Sequence, residues 1–370
     1  MQPIDLETEL RFSTPDMRAL DIQAYDVMND YPQRVLSISR ESGSVKACLE
    51  EYVKFVKGRG IAALRDTELR DGRRFLSLYR SVVSDLCRFG GLAIHVDYNG
   101  VGEIVDMQHV PFEHVRLCIA DEKTGRVQRL AVNRDWTGVK TAPKKDNTAY
   151  YPVFNPDRAM DEIEAAGGVQ EYGGQLLYTT LDADNVYPLC RYDARLTDAV
   201  CEVAISNVKY RNAQNNFLPA SVITLPEYTE VAPDNNAPAP ARDERLEQIR
   251  KMMGSKNACK TLVFTRTPGD SEIDVKPIEG QNYDKAFINT EKTVKENIGQ
   301  AFTQPPILRC EDVSVGFSND MMVQAYDFYN SVTQEERDVI ADVFRRILGA
   351  SVFAVPDNLI TIELLEYGVR

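Results

Sequence analysis

The sequence predicts an α+β fold, in which a mixed main body is interrupted by a small α/β insert set between two long helices. Three observations carry this. Residues 72–89 hold one helical stripe, Phe75, Leu76, Tyr79, Val82, Val83 and Leu86, and Gly90-Gly91 ends it. The period then switches, because 92–98 and 103–107 flank Asn99-Gly100, a strong hairpin signal. Finally, no Gly or Pro falls between 194 and 216, and a second long helical stretch, 283–303, runs up to Pro305-Pro306.

The remaining elements follow in order. Asp16 is placed to cap a helix over 17–28. Ser44 precedes a stretch with Val45, Leu49, Val53 and Val56 at helical spacing. A second hairpin is predicted from 115–119 and 127–132, around the turn residues 121–125. Residues 137–175 are rich in Lys, Pro, Asn and Gly and lack periodicity, which predicts a surface insertion. A short strand is expected over 176–181.

Residues 194–216 carry Leu196, Val200, Val203, Val208 and Tyr210 among many charges, the pattern of a long helix with a narrow packing face. The insert, 217–281, reads as a strand at 221–225, a Pro/Ala/Asn loop at 226–241 and a helix at 243–253 capped by Gly254. Two further strands, 261–265 and 273–277, lie either side of Pro268-Gly269-Asp270. Met252 and Met253 are expected to pack this unit. In the second long helix Phe287, Val294, Ile298 and Phe302 mark one side, and Lys285, Lys292 and Lys295 another. Residues 309–318 are a loop, and a helix resumes from 319 to 329. Thr333 with Glu336 matches a capping box for the last helix, with Val339, Ile340, Val343, Phe344 and Ile347 inward and Gly349 closing it. A terminal strand is expected at 359–364.

Composition narrows the function. The chain has 370 residues, 43% hydrophobic and 27% charged, which excludes wholesale disorder. Its net charge of −13 disfavours a protein that grips phosphate over a wide surface. The seven cysteines are widely spaced without C-x-x-C, so reduced, mostly buried thiols are expected rather than a disulfide framework or zinc ribbon. No apolar run approaches the ~18 residues of a membrane span. The acidic start, MQPIDLETELRF, lacks the apolar centre of a signal peptide.

Catalytic signatures are not found. His109 and His114 are five apart in a strand–turn segment and share no helix face, so two ordinary polar histidines are the plain reading. No histidine sits in a triad context, and Gly58-Arg59-Gly60 and Gly167-Gly168 lack phosphate-loop spacing. Acidic residues such as Glu162, Glu164, Asp182 and Asp184 read as solvated surface. The expectation is no enzyme, no cofactor and no metal.

The order of pieces resembles the portal proteins of tailed bacteriophages. The resemblance is carried by FLSLYRSVVSDLCRFGGLAIHVDYNGVGEIVDMQHVPFEHVRL (75–117) and by NVYPLCRYDARLTDAVCEVAISNVKYRNAQNNFLPASVITL (185–225). It continues in ENIGQAFTQPPILR (296–309) and FSNDMMVQAYDFYNSVTQEERDVIADVFRRIL (317–348). It implies a portal-like architecture: a wing of helices and β-hairpins at 1–195, stem helices at 196–216 and 282–303, and a clip at 217–281. A tunnel loop at 304–318 and a wing return at 319–370, with little or no crown, complete it. The 137–175 insertion has no counterpart in that pattern.

The resemblance further implies a homo-oligomeric ring of about twelve subunits at one capsid vertex, a channel for double-stranded DNA during packaging and ejection. Implied partners are the terminase motor, the major capsid protein and scaffold, and a head-completion or adaptor protein, with no membrane. The implied location is the virion, after synthesis in the bacterial cytoplasm. Arg309, Asp312, Val315, Gly316 and Phe317 would belong to the DNA-channel tunnel loop, and Lys285, Lys292 and Lys295 would face the channel; a connecting loop and a solvated helix face are their plain readings. Two other readings stay open: another oligomeric head–tail connector component, or an unrelated cytosolic enzyme.

Overall fold

The computed structural model describes residues 14–136, 147–182, 186–214, 221–226, 262–266, 276–277, 283–309, 319–353 and 355–368. It is α+β and divides into two compact units. One comprises 1–196 and 298–370, the other Thr197–Asn297.

The larger unit begins with a two-stranded hairpin, β1 (Asp16–Met17) and β2 (Ile22–Gln23), where a helix was expected. The reason is in the backbone. Asp21, Asp26 and Asn29 all have positive φ, 55°, 76° and 57°, a conformation that Asp and Asn tolerate and that a right-handed helix cannot contain.

Three helices follow: α1 (Tyr31–Glu41), α2 (Gly43–Lys57) and α3 (Phe75–Phe89). The cap of α2 is Ser42 rather than Ser44; its hydroxyl accepts from the Val45 amide at 3.2 Å. The stripe read on α3 is buried at Phe75, Tyr79, Val82, Val83 and Leu86, and Gly90 ends the helix at φ 78°. A short strand, β3 (Gly60–Ile61), separates α2 from α3.

The strand β4 (Gly91–Tyr98) is the centre of a three-stranded antiparallel sheet, flanked by β5 (Ile104–His109) and β9 (Gln175–Thr180). A second antiparallel sheet runs β6 (Val115–Leu117), β7 (Arg129–Val132) and β8 (Ala149–Pro152). One parallel bridge, Val153 to Leu176, links the two sheets. The expected surface insertion is therefore only partly that. Its described part supplies β8 and a helix, α4 (Ala159–Ala166), and buries Phe154, Ala159, Ile163 and Gln175. Its polar composition hid a strand half-buried from Tyr150 to Pro152 and a helix of little more than two turns.

One arginine is central to this sheet. Arg116 is fully buried and donates to neutral oxygens: Asn29 Oδ1 at 2.6 Å, Asn29 O at 3.0 Å and Val115 O at 2.8 Å. Its guanidinium also lies over Tyr25 and Trp136, at 5.4 and 5.1 Å from the ring centres. Burial lowers its pKa to about 10.

The smaller unit contains nearly all of α5 (Leu196–Gln214), the parallel pair β10 (Ser221–Pro226) and β11 (Leu262–Arg266), β12 (Lys276–Pro277) antiparallel to β10, and α6 (Tyr283–Ala301) up to Asn297, its last residues, 298–301, belonging to the larger unit. The strands expected either side of Pro268-Gly269-Asp270 thus do not pair with each other; β10 lies between them. The helix expected at 243–253, with Met252 and Met253, lies outside the described residues.

The chain returns to the larger unit at Ile298, in the last turn of α6, and continues there with α7 (Asn319–Val332) and α8 (Gln334–Leu348). Ile340, Val343, Phe344 and Ile347 are buried as expected, and Phe344 meets Phe75 edge-on at 5.0 Å. The capping box is absent. The Thr333 hydroxyl instead donates to Tyr329 O at 2.8 Å and accepts from Arg337 at 2.6 Å. Because α7 ends one residue before α8 begins, Thr333 serves the helix behind it and Glu336 is free to turn inward. Gly349 closes α8 as expected, with helical φ, −62°. The terminal strand β13 (Ile362–Glu363) is short and pairs with β3.

Candidate functional site

The sequence directs attention to the end of the second long helix and the loop after it. Within the smaller unit, α5 and α6 are antiparallel partners. Asp198 accepts from Asn297 at 3.1 Å near one end, and Lys209 pairs with Glu291 further along. Among the described side chains of α5, Ala199, Ile205 and, at 9% exposure, Glu202 are buried. Val200, Tyr210 and, on α6, Ile288 stand exposed.

The lysines of α6 are not bare charges. Lys295 lies 3.6 Å from Glu291 and Lys292 lies 3.9 Å from Glu296, both one helical turn away. The hydrogen bond from Lys209 and the charges of Lys209 and Lys295 hold the Glu291 carboxyl below its ordinary pKa. This face presents interleaved charge, so a polyanion approaching it meets both signs. The side chain of Lys285 lies outside the described residues, as do Asp312, Val315, Gly316 and Phe317.

Arg309 is described, and it is anchored. It ends a 3-10 turn, Pro306–Arg309, and its guanidinium packs against Gly299 of α6. A Cβ at position 299 would run into that guanidinium. Upstream, Thr303 leaves the helix at φ 54°, rare for a β-branched residue. Gln304 donates to Cys48 O at 2.6 Å, and Tyr329 donates to Phe302 O at 3.1 Å. The segment 302–309, which leads to the loop expected from the sequence, is thus held against α2, the last turn of α6 and α7.

A buried polar cluster supports the same region. Tyr52 donates to Glu336 Oε1, and Arg191 donates to the same oxygen at 2.7 Å. Arg191 also lies over the Tyr52 ring at 5.1 Å and reaches Thr303 Oγ1 at 3.5 Å. Burial, then the neighbouring thiol and carboxylate, drive the Tyr52 hydroxyl pKa far up, so it remains a donor. None of these residues stood out in the sequence except Glu336, in another role. Gly299 carried the one available signal, since a glycine inside a helix often marks close packing.

Two of the three histidines, His109 and His95, have partners for their side chains. His109 Nε2 lies 2.7 Å from Asp85, which also accepts from the Phe112 amide at 3.0 Å, and His95 Nε2 lies 2.7 Å from Gly173 O. Cys48, Cys87, Cys118 and Cys190 are buried free thiols, and burial pushes Cys118 up to about 11 and Cys190 up to about 12. Among the described residues no group of three His, Cys, Asp or Glu side chains is placed to hold a metal, and no helix is long and apolar enough to cross a membrane.

No protein-family model matches the sequence, and no curated protein matches it. Solved structures do match. The chain is similar to one titled as the neck of a native GTA particle computed with C12 symmetry, at 15% identity and TM-score 0.46, over 88% of this chain and 86% of that one. It is similar to one from the virion of a native gene transfer agent particle, at 14% identity and TM-score 0.40, over 87% and 91%. It is also similar to an HK97 family phage portal protein from Corynebacterium diphtheriae, at 10% identity and TM-score 0.37, over 80% and 85%. These are neck, virion and portal structures. All three scores lie below 0.5, so the function argued for this chain rests on its own residues.

Proposed function

We propose that this chain is a portal subunit: one copy in a ring at a capsid vertex, through which double-stranded DNA enters during packaging and leaves during ejection. One observation carries the reading. A compact unit, Thr197–Asn297, interrupts the main body and is entered on one long helix and left on its antiparallel partner. That is the stalk–insert–stalk order in which the resemblance of 185–225 and 296–309 to portal proteins was found.

Three further features support it. The long helices leave Val200, Tyr210 and Ile288 exposed, which association around a ring would cover. The alternation of charge around Lys292 and Lys295 gives weak, exchangeable contacts rather than tight phosphate binding, as a conduit needs. The Gly299–Arg309 packing fixes the base of a loop that can reach into a channel.

In this reading, 196–216 and 282–303 are stems, 217–281 is the clip that meets the terminase and later an adaptor protein, and 304–318 carries the tunnel loop. The wing, 1–195 with 319–370, meets the capsid and scaffold. The test is electron microscopy of the purified protein, with scaffold supplied where the chain alone stays monomeric. Rings with a central hole support the proposal; compact particles under both conditions overturn it.

A further inference from the structure

The chain is acidic, yet one groove of its larger unit is basic. It lies between β7, β8 and the helices α4 and α8, with a volume of about 1050 Å³. Small-molecule sites run to roughly 1,000 Å³, so this space suits a stretch of polypeptide. Arg126, Arg129, Arg158 and Arg346 line it, against the carboxylates of Asp157 and Glu162. Arg129 is paired with Asp21 at 2.8 Å, and Arg158 is 3.9 Å from Glu162. Arg126 and Arg346 are exposed and have no carboxylate partner among the described residues. Arg346 lies over the Phe154 ring at 5.7 Å, so the groove joins an aromatic wall to free positive charge.

A complement exists in the same chain. Residues 4–10, Ile-Asp-Leu-Glu-Thr-Glu-Leu, alternate, with Asp5, Glu7 and Glu9 at odd positions and Ile4, Leu6 and Leu10 at even ones. Extended, such a segment puts its carboxylates on one side and its aliphatic residues on the other. Residues 1–13 lie outside the described residues, and 13 extended residues span at most about 45 Å.

We propose that the arginine groove receives the acidic segment 4–10 of a neighbouring copy. The proposal rests on the ring reading above. A closed ring uses a heterologous interface, in which one patch of a subunit meets a different patch of the next. Copies that each carry −13 repel, and a basic groove filled by an acidic segment is a contact of opposite sign that offsets the repulsion.

The test is amide hydrogen exchange of the full chain, as assembled rings verified by microscopy and as dilute monomer. In rings, residues 4–10 are expected to exchange at least tenfold more slowly than an unstructured peptide, and in the monomer at the unstructured rate. Protection in rings should be lost in R126E/R346E and in D5K/E7K/E9K. It should return when the five changes are combined, which a folding defect would not allow. Rings whose residues 4–10 exchange freely overturn this inference and leave the ring standing, as does equal protection in the monomer. Failure to form rings overturns both.

Discussion

The guanidinium of Arg309 occupies the space beside the Gly299 α-carbon that any side chain at 299 would need. The last turn of α6 and the 3-10 turn at Pro306–Arg309 are thereby held together by close packing.

Gly299→Ala should force the two apart and destabilise the protein by about 1–3 kcal/mol, the usual range for overpacking a buried site. Arg309→Ala should relieve the clash, so the double variant should lose less than the sum of the single losses. Denaturant unfolding of the four proteins reads this directly. Additive losses would show that the arginine moves aside freely.

Deleting 310–317 should leave ring assembly intact and impair DNA packaging or retention. Particle yield and packaged DNA, measured side by side, separate the two effects. Normal packaging by the deletion would remove the tunnel-loop assignment.

Arg191 compensates Glu336, which is 4% exposed. Arg191→Met should cost up to about 3–5 kcal/mol, because a buried carboxylate loses its cation. Adding Glu336→Leu should recover much of that loss. A double variant no better than Arg191→Met alone would mean that the stacking on Tyr52, not the charge, matters.

Thr303 has a left-handed backbone, which costs a β-branched residue of order 1–3 kcal/mol. Thr303→Gly should therefore raise stability by about 1 kcal/mol in chemical denaturation, with Thr303→Asn intermediate. A loss in both variants would show that the hydroxyl's weak contact with Arg191 outweighs the strain.

Burial, with Arg134 and Arg116 nearby, holds the His114 pKa below 6.5, against the opposing pull of Glu113 and Asp85. As pH falls through about 6.5 the unfolded chain takes up this proton before the folded one does. Stability from this residue is thus fully present above that pH and declines below it. His114→Gln should flatten the decline between neutral pH and about pH 5, read as melting temperature against pH.

Much of the fold was legible because its signals are local. The α3 stripe, Gly90 and Asn99-Gly100 each state their own structure within a few residues. The failures came where distant partners decide. Glu336 reads as a capping residue until Tyr52 and Arg191 claim it. The hairpin at 16–23 reads as a helix until the positive φ values of Asp21 and Asp26 are known. Phe154 and Ile163 sit in a polar stretch, and only the sheet they cover explains their burial. For the candidate site, the pairing of Lys292 with Glu296 and of Lys295 with Glu291 follows from their spacing on a helix, but the Lys209–Glu291 pair and the Gly299–Arg309 packing join distant residues and could not be read from the sequence.

The larger unit is completed by α7 and α8, which are synthesised only after Thr197–Asn297 has been made. Until then Phe55, whose ring meets Tyr329 at 4.9 Å, and Phe75, which meets Phe344, lack that cover. At ribosomal speeds of about 5–20 residues per second, translating a segment of that length takes on the order of 5–20 s. The aromatic surface that α7 and α8 cover is unmatched for all of that time, and such surface favours association between unfinished chains.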